Sequence, residues 1–344
     1  MSISFGVTLF SMTNEWLAGQ YDLPSLIDEV GRRKLGPGLE IIGFQSLRGF
    51  PSKVDRKDLR ALTEAMERNE LVPTSLASNA DVARKSGAWM STDESVEYMR
   101  PQIELAGKLG FPVVRIQIGL SPAVLEKLEP IAAKARVRLG MEIHAPEGPN
   151  TPKVMATREV YERLNSEYLG FIPDFSACMR AIPPGMLEKL RQGGLSGDGV
   201  DALTRAWQAP GPPHERYAAF AAEAGKLGEP ELPVAQARLI FTMFGRQPVD
   251  DWRDLMPRVV HIHGKFYDID ETGISPSIDY EKLMAVFAEA DRELTMSTEW
   301  EGHAFLDADE QDAFEIVARH QDMCRRLLAK AASRRTGTAA RKQP

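Results

Sequence analysis

Eight short runs rich in branched apolar residues recur along the chain, separated by stretches of helical period. They are ISFGVTLF (3–10), LEIIGF (39–44), LVPTSLA (71–77), VVRIQIG (113–119), VRLGMEIH (137–144), LGFIPDF (169–175), VVHIHGK (259–265) and LTMSTEW (294–300). Between them, DLPSLIDEVGRR, RKDLRALTEAMERN, STDESVEYMRPQIELAGKLG and VLEKLEPIAAKAR carry apolar residues at three- and four-residue steps, the mark of a helix with one buried face. Several open on Asp or Ser followed by acids, as helix starts do. Eight strands alternating with helices predict an α/β fold of the (β/α)8 TIM-barrel type. A doubly wound open sheet would want a glycine-rich phosphate turn after its first strand, and SMTNEW stands there instead.

Strand starts fall roughly 25 to 40 residues apart, the size of one βα unit, with one exception. Between Asp174 and His261 lie 86 residues, enough for a normal helix and about 50 more. The turns GGLSGDG, QAPGPPHE and LGEPELP divide this excess into three or four short helices. The expected organisation is therefore one barrel domain over 1–330, a helical insertion at about 178–257, and a disordered basic tail over 331–344. An insertion on this side of a barrel stands over the active-site mouth and can serve as a lid, a specificity wall or an oligomer contact.

Composition narrows the class. With 43% hydrophobic and 26% charged residues and only two cysteines, Cys178 and Cys324, the chain is neither a disulfide scaffold nor largely disordered. No apolar run reaches 18 residues and no basic leader precedes an apolar segment, so a cytoplasmic protein without a membrane span is expected. The net charge is −7, and Arg325, Arg326, Lys330, Arg334, Arg335, Arg341 and Lys342 crowd the last twenty residues. The rest of the chain is thus more acidic still and repels a phosphate backbone, which argues against nucleic acid as a partner.

The later strands carry the chemistry. One face of a barrel strand meets the surrounding helices and the other points into the barrel. In VRLGMEIH the apolar set is Val137, Leu139, Met141 and Ile143, leaving Arg138, Gly140, Glu142 and His144 inward. In VVHIHGK, Val260 and Ile262 read as outward, with His261, His263 and Lys265 inward. In LTMSTEWEG, Thr295, Ser297, Glu299 and Glu301 are inward; Asp174 and Ser176 on strand six and Arg115 and Gln117 on strand four complete the set. Charged and imidazole groups therefore converge at the C-terminal ends of strands four to eight, where barrel enzymes place their active sites.

Several carboxylates buried together cost too much unless a positive charge sits among them. Glu142, Asp174, His263 and Glu299 form a hard, oxygen-rich set suited to one Mn²⁺ or Mg²⁺ ion. His261 reads as a supporting or packed imidazole, and Lys265 as either a solvated strand end or a contact to substrate oxygen. Glu301 and His303 follow into the loop, where a position on the rim is the simpler reading. His214 and His320 sit in helical contexts and read as solvent-facing, and the single cysteines have no metal-binding spacing.

These residues resemble the xylose-isomerase-like TIM barrels of the sugar phosphate isomerase/epimerase superfamily, over almost the whole chain from residue 4 to about 328. The likeness rests on MEIH, PDFS, HIHGK and STEWEG, where that superfamily carries its metal ligands; transferred by position these are again Glu142, Asp174, His263 and Glu299. Length, the insertion opening with IPPGMLEKLR and the Glu-x-His pair of strand five are most similar to the α subunits of bacterial C-glycoside deglycosidases. The resemblance implies an Mn²⁺-dependent lyase that pairs with a small β subunit. Such an enzyme cleaves the carbon–carbon bond between a 3-oxo sugar and an aromatic aglycone.

A ketone at C3 acidifies the C2 proton, so a base can remove it and let the aryl group leave from C1. His144, beside Glu142 and inward-facing, is the candidate base. Arg115, Gln117, His261, Lys265 and Glu301 are the candidate substrate contacts. The alternative is a divalent-metal-dependent keto-sugar isomerase or epimerase, in which Glu142 and Glu299 double as ligands and bases. A non-catalytic sugar-binding subunit would have lost the ligand set, which is intact here.

Overall fold

Branched apolar residues at alternate positions pack well on a pleated surface, and helices between and after the strands cover the outer face they create. The computed structural model of the chain describes residues 3–78, 88–117, 119–307 and 309–340. Its strands are β1 (Ile3–Thr8), β2 (Gly38–Ile42), β3 (Val72–Ala77), β4 (Val113–Ile116), β5 (Arg138–Ile143), β6 (Leu169–Pro173), β7 (Ile262–Phe266) and β8 (Leu294–Trp300). They pair in parallel in the order β6-β5-β4-β3-β2-β1-β8-β7. Bridges Phe171–Val259 and Asp174–His263, with Val260 N–H donating to the Phe171 carbonyl at 3.0 Å, bring β6 to β7 and all but close the ring. The fold is a TIM barrel.

Outward side chains such as Val7, Leu39, Ile41, Leu76, Val114, Leu139 and Met141 are buried in one apolar cluster with the helices. The helix starts follow their sequence signals. Asp22 and Ser25 cap Leu23–Arg32 reciprocally, and Ser91 and Glu94 do the same for Thr92–Leu109, satisfying backbone donors that have no partner within the helix. Gly6 and Gly38 face each other across β1 and β2. A Cβ on Gly6 would lie 2.4 Å from the Gly38 carbonyl oxygen, so only glycine allows this approach.

The barrel interior divides by height. Val113, Ile172 and Val260 form a separate apolar cluster, and a Cβ on Gly140 or Gly170 would collide with Ile172 or Val260. Val260 was expected on the outer face. It packs inward instead, because the β7 ladder begins only at Ile262 and the residues before it are free of the two-residue alternation.

The segment between β6 and β7 holds five helices, Pro184–Gln192, Gly197–Gln208, Pro213–Leu227, Glu231–Gln236 and Arg238–Met243, then a 3-10 stretch over Val249–Arg258. Its two ends are tied together. Gly245 N–H donates to the Ser176 carbonyl at 2.8 Å and Met179 N–H to that of Gly245 at 2.9 Å, while the indoles of Trp207 and Trp252 reach Phe244 O and Cys178 Sγ, each at 3.0 Å.

Among the described residues no helix is long and apolar enough to cross a membrane. The last helix, Ala313–Ala340, continues past residue 331, where the sequence placed the start of a tail. Residues 341–344 of that tail and Ile118 of the fourth run lie outside the described residues. His320, expected in solvent, is fully buried. Its ring stacks on Phe266 at 4.0 Å and meets Tyr280 edge-on at 4.8 Å, because it lies on the face of the helix that takes Val317 and Cys324 into the core. Burial pushes its pKa down to about 3. His214 is exposed, as expected.

Candidate metal centre at the mouth of the barrel

Strand alternation and barrel register bring Glu142, Asp174, His263 and Glu299 together, all buried, with one ligand atom from each within 4.8 Å of the others. Glu142 comes from β5, His263 from β7 and Glu299 from β8, while Asp174 follows β6 and caps the short turn Phe175–Ala177, accepting from Ser176 N–H at 2.8 Å. The His263 ring is the hub. Its Nδ1 lies 2.6 Å from Glu142 Oε1 and 2.9 Å from Glu299 Oε2, and its Nε2 lies 3.1 Å from Glu40 Oε1.

Two cations stand among these acids. Arg115 Nη2 reaches Glu142 Oε2 at 3.1 Å. Lys265 Nζ reaches Glu301 at 3.0 Å, Glu299 at 3.1 Å and Asp174 at 3.3 Å. Burial alone would push Glu142 up, but the Arg115 guanidinium and the His263 ring hold it well below the usual carboxylate range. Burial works the same way on Glu299, where Lys265 and His263 prevail and leave it at about 2. His263 and Lys265 are both held well above their ordinary values: burial would lower them, and the facing carboxylates outweigh it.

The buried carboxyl groups of Glu40, Glu142, Asp174, Glu299 and Glu301 outnumber the positive groups beside them. Glu299 Oε2 and Asp174 Oδ2 are buried and accept no hydrogen bond; they meet only the ion-pair approaches of His263 and Lys265. An acid excess with unsatisfied oxygens turned toward one point fits a divalent cation, and three carboxylates with one imidazole suit a hard ion.

The other expected site residues divide. His144, just beyond β5, is half-buried with its Nδ1 2.5 Å from the Ala145 carbonyl oxygen. His261 is fully buried beneath His263. Gln117 lies past the end of β4, exposed, and makes no hydrogen bond to the others. Glu301 was expected on the rim, but it is buried and accepts from Lys265 at 3.0 Å and from the Tyr267 hydroxyl at 3.3 Å. His303 is also drawn inward, edge-on to the rings of Phe10 and Trp300, and burial lowers its pKa to about 4. Both turn in because the chain after β8 enters a 3-10 turn, Gly302–Ala304, against the first βα loop.

No family model matches the chain. It is 40% identical over 337 residues to a C-glycoside deglycosidase alpha subunit of Arthrobacter globiformis, a match covering 95% of this chain and 91% of that protein. The chain belongs to the C-glycoside deglycosidase alpha-subunit family. Another relative of this deglycosidase alpha-subunit homologue is the 3'-dehydrocarminate deglycosidase alpha subunit of a Microbacterium species, 37% identical with 94% of each chain covered. Among solved structures it is similar to L-ribulose 3-epimerase, at a TM-score of 0.56 and 13% identity over 100% of both chains. That likeness shows a shared TIM-barrel fold.

Sequence reading of this deglycosidase homologue missed two groups. Glu40 on β2 is fully buried and touches both His261 and His263; its signal was an acid alone among the apolar residues of LEIIGF. Tyr267 links Glu301 to the insertion, its ring lying edge-on to Phe244 at 4.9 Å. Nothing in the local sequence marks it.

Proposed function

We propose that the chain is the metal-binding, catalytic subunit of a carbon–carbon lyase that cleaves the C-glycosidic bond of 3-oxo-C-glucosides of aromatic aglycones. Membership of the deglycosidase alpha-subunit family supports the reaction class. The observation that carries the reading is the convergence of Glu142, Asp174, His263 and Glu299, all buried, with one ligand atom from each within 4.8 Å of the others. These residues would hold one Mn²⁺ or Mg²⁺ ion, which when bound supplies Lewis acidity toward a sugar carbonyl.

The chain's own residues supply the rest. His144 is the base that takes the C2 proton: with its Nδ1–H donated to the Ala145 carbonyl, the Nε2 lone pair is the free acceptor. The loss of that proton beside the C3 ketone gives an enolate, whose electrons expel the aryl group from C1 as the aryl carbon takes up a proton. Arg115, Lys265 and Glu301 stand at the edge of the cluster, where they can bind sugar hydroxyls or carbonyl oxygen, and Gln117 completes the proposed substrate-facing set; His261, expected among them, is fully buried with both ring nitrogens engaged and does not face substrate.

The reading includes a partner. The relatives are named alpha subunits, and a small β subunit completes the enzyme. Leu17, Phe44 and Trp89 are among the most exposed large apolar side chains. They lie after β1, β2 and β3, at the same end of the barrel as the site, and are the residues we assign to contact with that subunit.

The test is co-expression with the small subunit and incubation with a 3-oxo-C-glucoside, with and without EDTA. Free aglycone is expected only with metal. His144→Ala is expected to lower turnover by at least about 100-fold with metal binding intact. An isomeric ketose or epimer as the sole product would overturn the lyase in favour of an isomerase that uses Glu142 and Glu299 as its ligand and base pair.

A further inference from the structure

Glu40, on β2, is in contact with the candidate metal centre through His263. Its carboxylate is fully buried and is engaged on every side. His263 Nε2 lies 3.1 Å from Oε1 and 3.2 Å from Oε2, His261 Nε2 lies 3.2 Å from Oε2, and the Ser297 hydroxyl donates to Oε2 at 2.7 Å. His261 is anchored in turn, its Nδ1 2.6 Å from Thr295 Oγ1. The two imidazoles stand perpendicular, with centroids 5.7 Å apart.

The network fixes an orientation. An imidazole can present only one nitrogen to a metal, and the hydrogen bond on the other nitrogen decides which. With Nε2–H held by Glu40, the His263 ring turns Nδ1 toward Glu142 and Glu299. Glu40, His261 and His263 could themselves be read as donors to a second ion. Here, however, Glu40 already has the two imidazoles and a hydroxyl as partners, and neither of its oxygens is unsatisfied.

We infer that Glu40 is a positioning residue: it sets the tautomer and rotation of His263 and so tunes the affinity of the site for its ion, while Ser297 and His261 hold Glu40 in place. The inference rests on the metal reading proposed above and adds to it a carboxylate from β2.

The experiment measures Mn²⁺ affinity and stoichiometry for the whole chain by competition with a fluorescent chelator, in the wild type, Glu40→Gln and Ser297→Ala. The wild type is expected to bind one ion. Glu40→Gln should bind about 10- to 100-fold more weakly, with Ser297→Ala between the two. In the metal-free wild type, the Nε2–H proton resonance of His263 should lie far downfield and move upfield in Glu40→Gln. If that variant does not fold, Ser297→Ala decides by the same two readouts. Wild-type binding matched by both variants would overturn the inference, as would a second ion lost with Glu40. A wild type that binds no Mn²⁺ would instead sink the metal reading itself.

Discussion

Within the barrel mouth each cation offsets particular acids, and what it offsets depends on burial. Lys265 is as buried as the acids it faces, so removing its charge would leave Asp174, Glu299 and Glu301 without that cation and shielded from solvent. Asp268, three residues further along, shows the opposite case. Among the described residues no cation pairs with it; the Ser277 hydroxyl donates to it at 2.9 Å, and burial raises its pKa to about 6 from an ordinary 3.8. An acid whose folded-state pKa is raised weakens the fold wherever it must ionise, so the cost is full above pH 6 and gone below pH 4. Asp268→Asn is therefore expected to stabilise the protein by about 1 to 3 kcal/mol at pH 8, and urea denaturation at pH 8 and pH 4 checks it. An equal gain at both pH values would show that ionisation is not the cause.

Among the elements, β1 and β2 meet at Gly6 and Gly38 with no room for a side chain between them. Gly6→Ala places a Cβ 2.4 Å from backbone that cannot swing aside. It is expected to cost about 3 kcal/mol or more, or to prevent folding, as judged by chemical denaturation of the purified variant. Gly225, with open space around the same added atom, is the control, because a helical Gly→Ala there should be neutral or slightly stabilising. The insertion is built differently. Its helices are short and joined by Pro-Gly turns, yet a neck of backbone hydrogen bonds beside Asp174 fixes where they stand. Through Phe244 and Tyr267 they touch the acid cluster.

Across the whole molecule, an ion bound at the mouth would tie together β5, β6, β7 and β8, including the one junction that is closed only by isolated bridges. Binding to the folded state alone stabilises by about 2.7 kcal/mol at a hundredfold excess over Kd. Mn²⁺ is therefore expected to raise the melting temperature by a few degrees, and EDTA to reverse it; calorimetric scans that do not move with metal would count against the site. The strands and most helix starts were legible in the sequence because period and capping are local. The same holds for the inward set Glu142, His263, Lys265 and Glu299, since successive strand residues must face opposite sides. The departures came where that rule lapses or a distant surface intervenes: Val260 before its strand begins, Glu301 and His303 beyond theirs, and His320 on a helix face whose partner lies elsewhere in the chain. What only the tertiary structure decided is which inward groups meet. Glu40 stands 223 residues from His263, and closure of the ring, with β2 and β7 both beside the β1–β8 seam, is what puts that carboxylate on the imidazole.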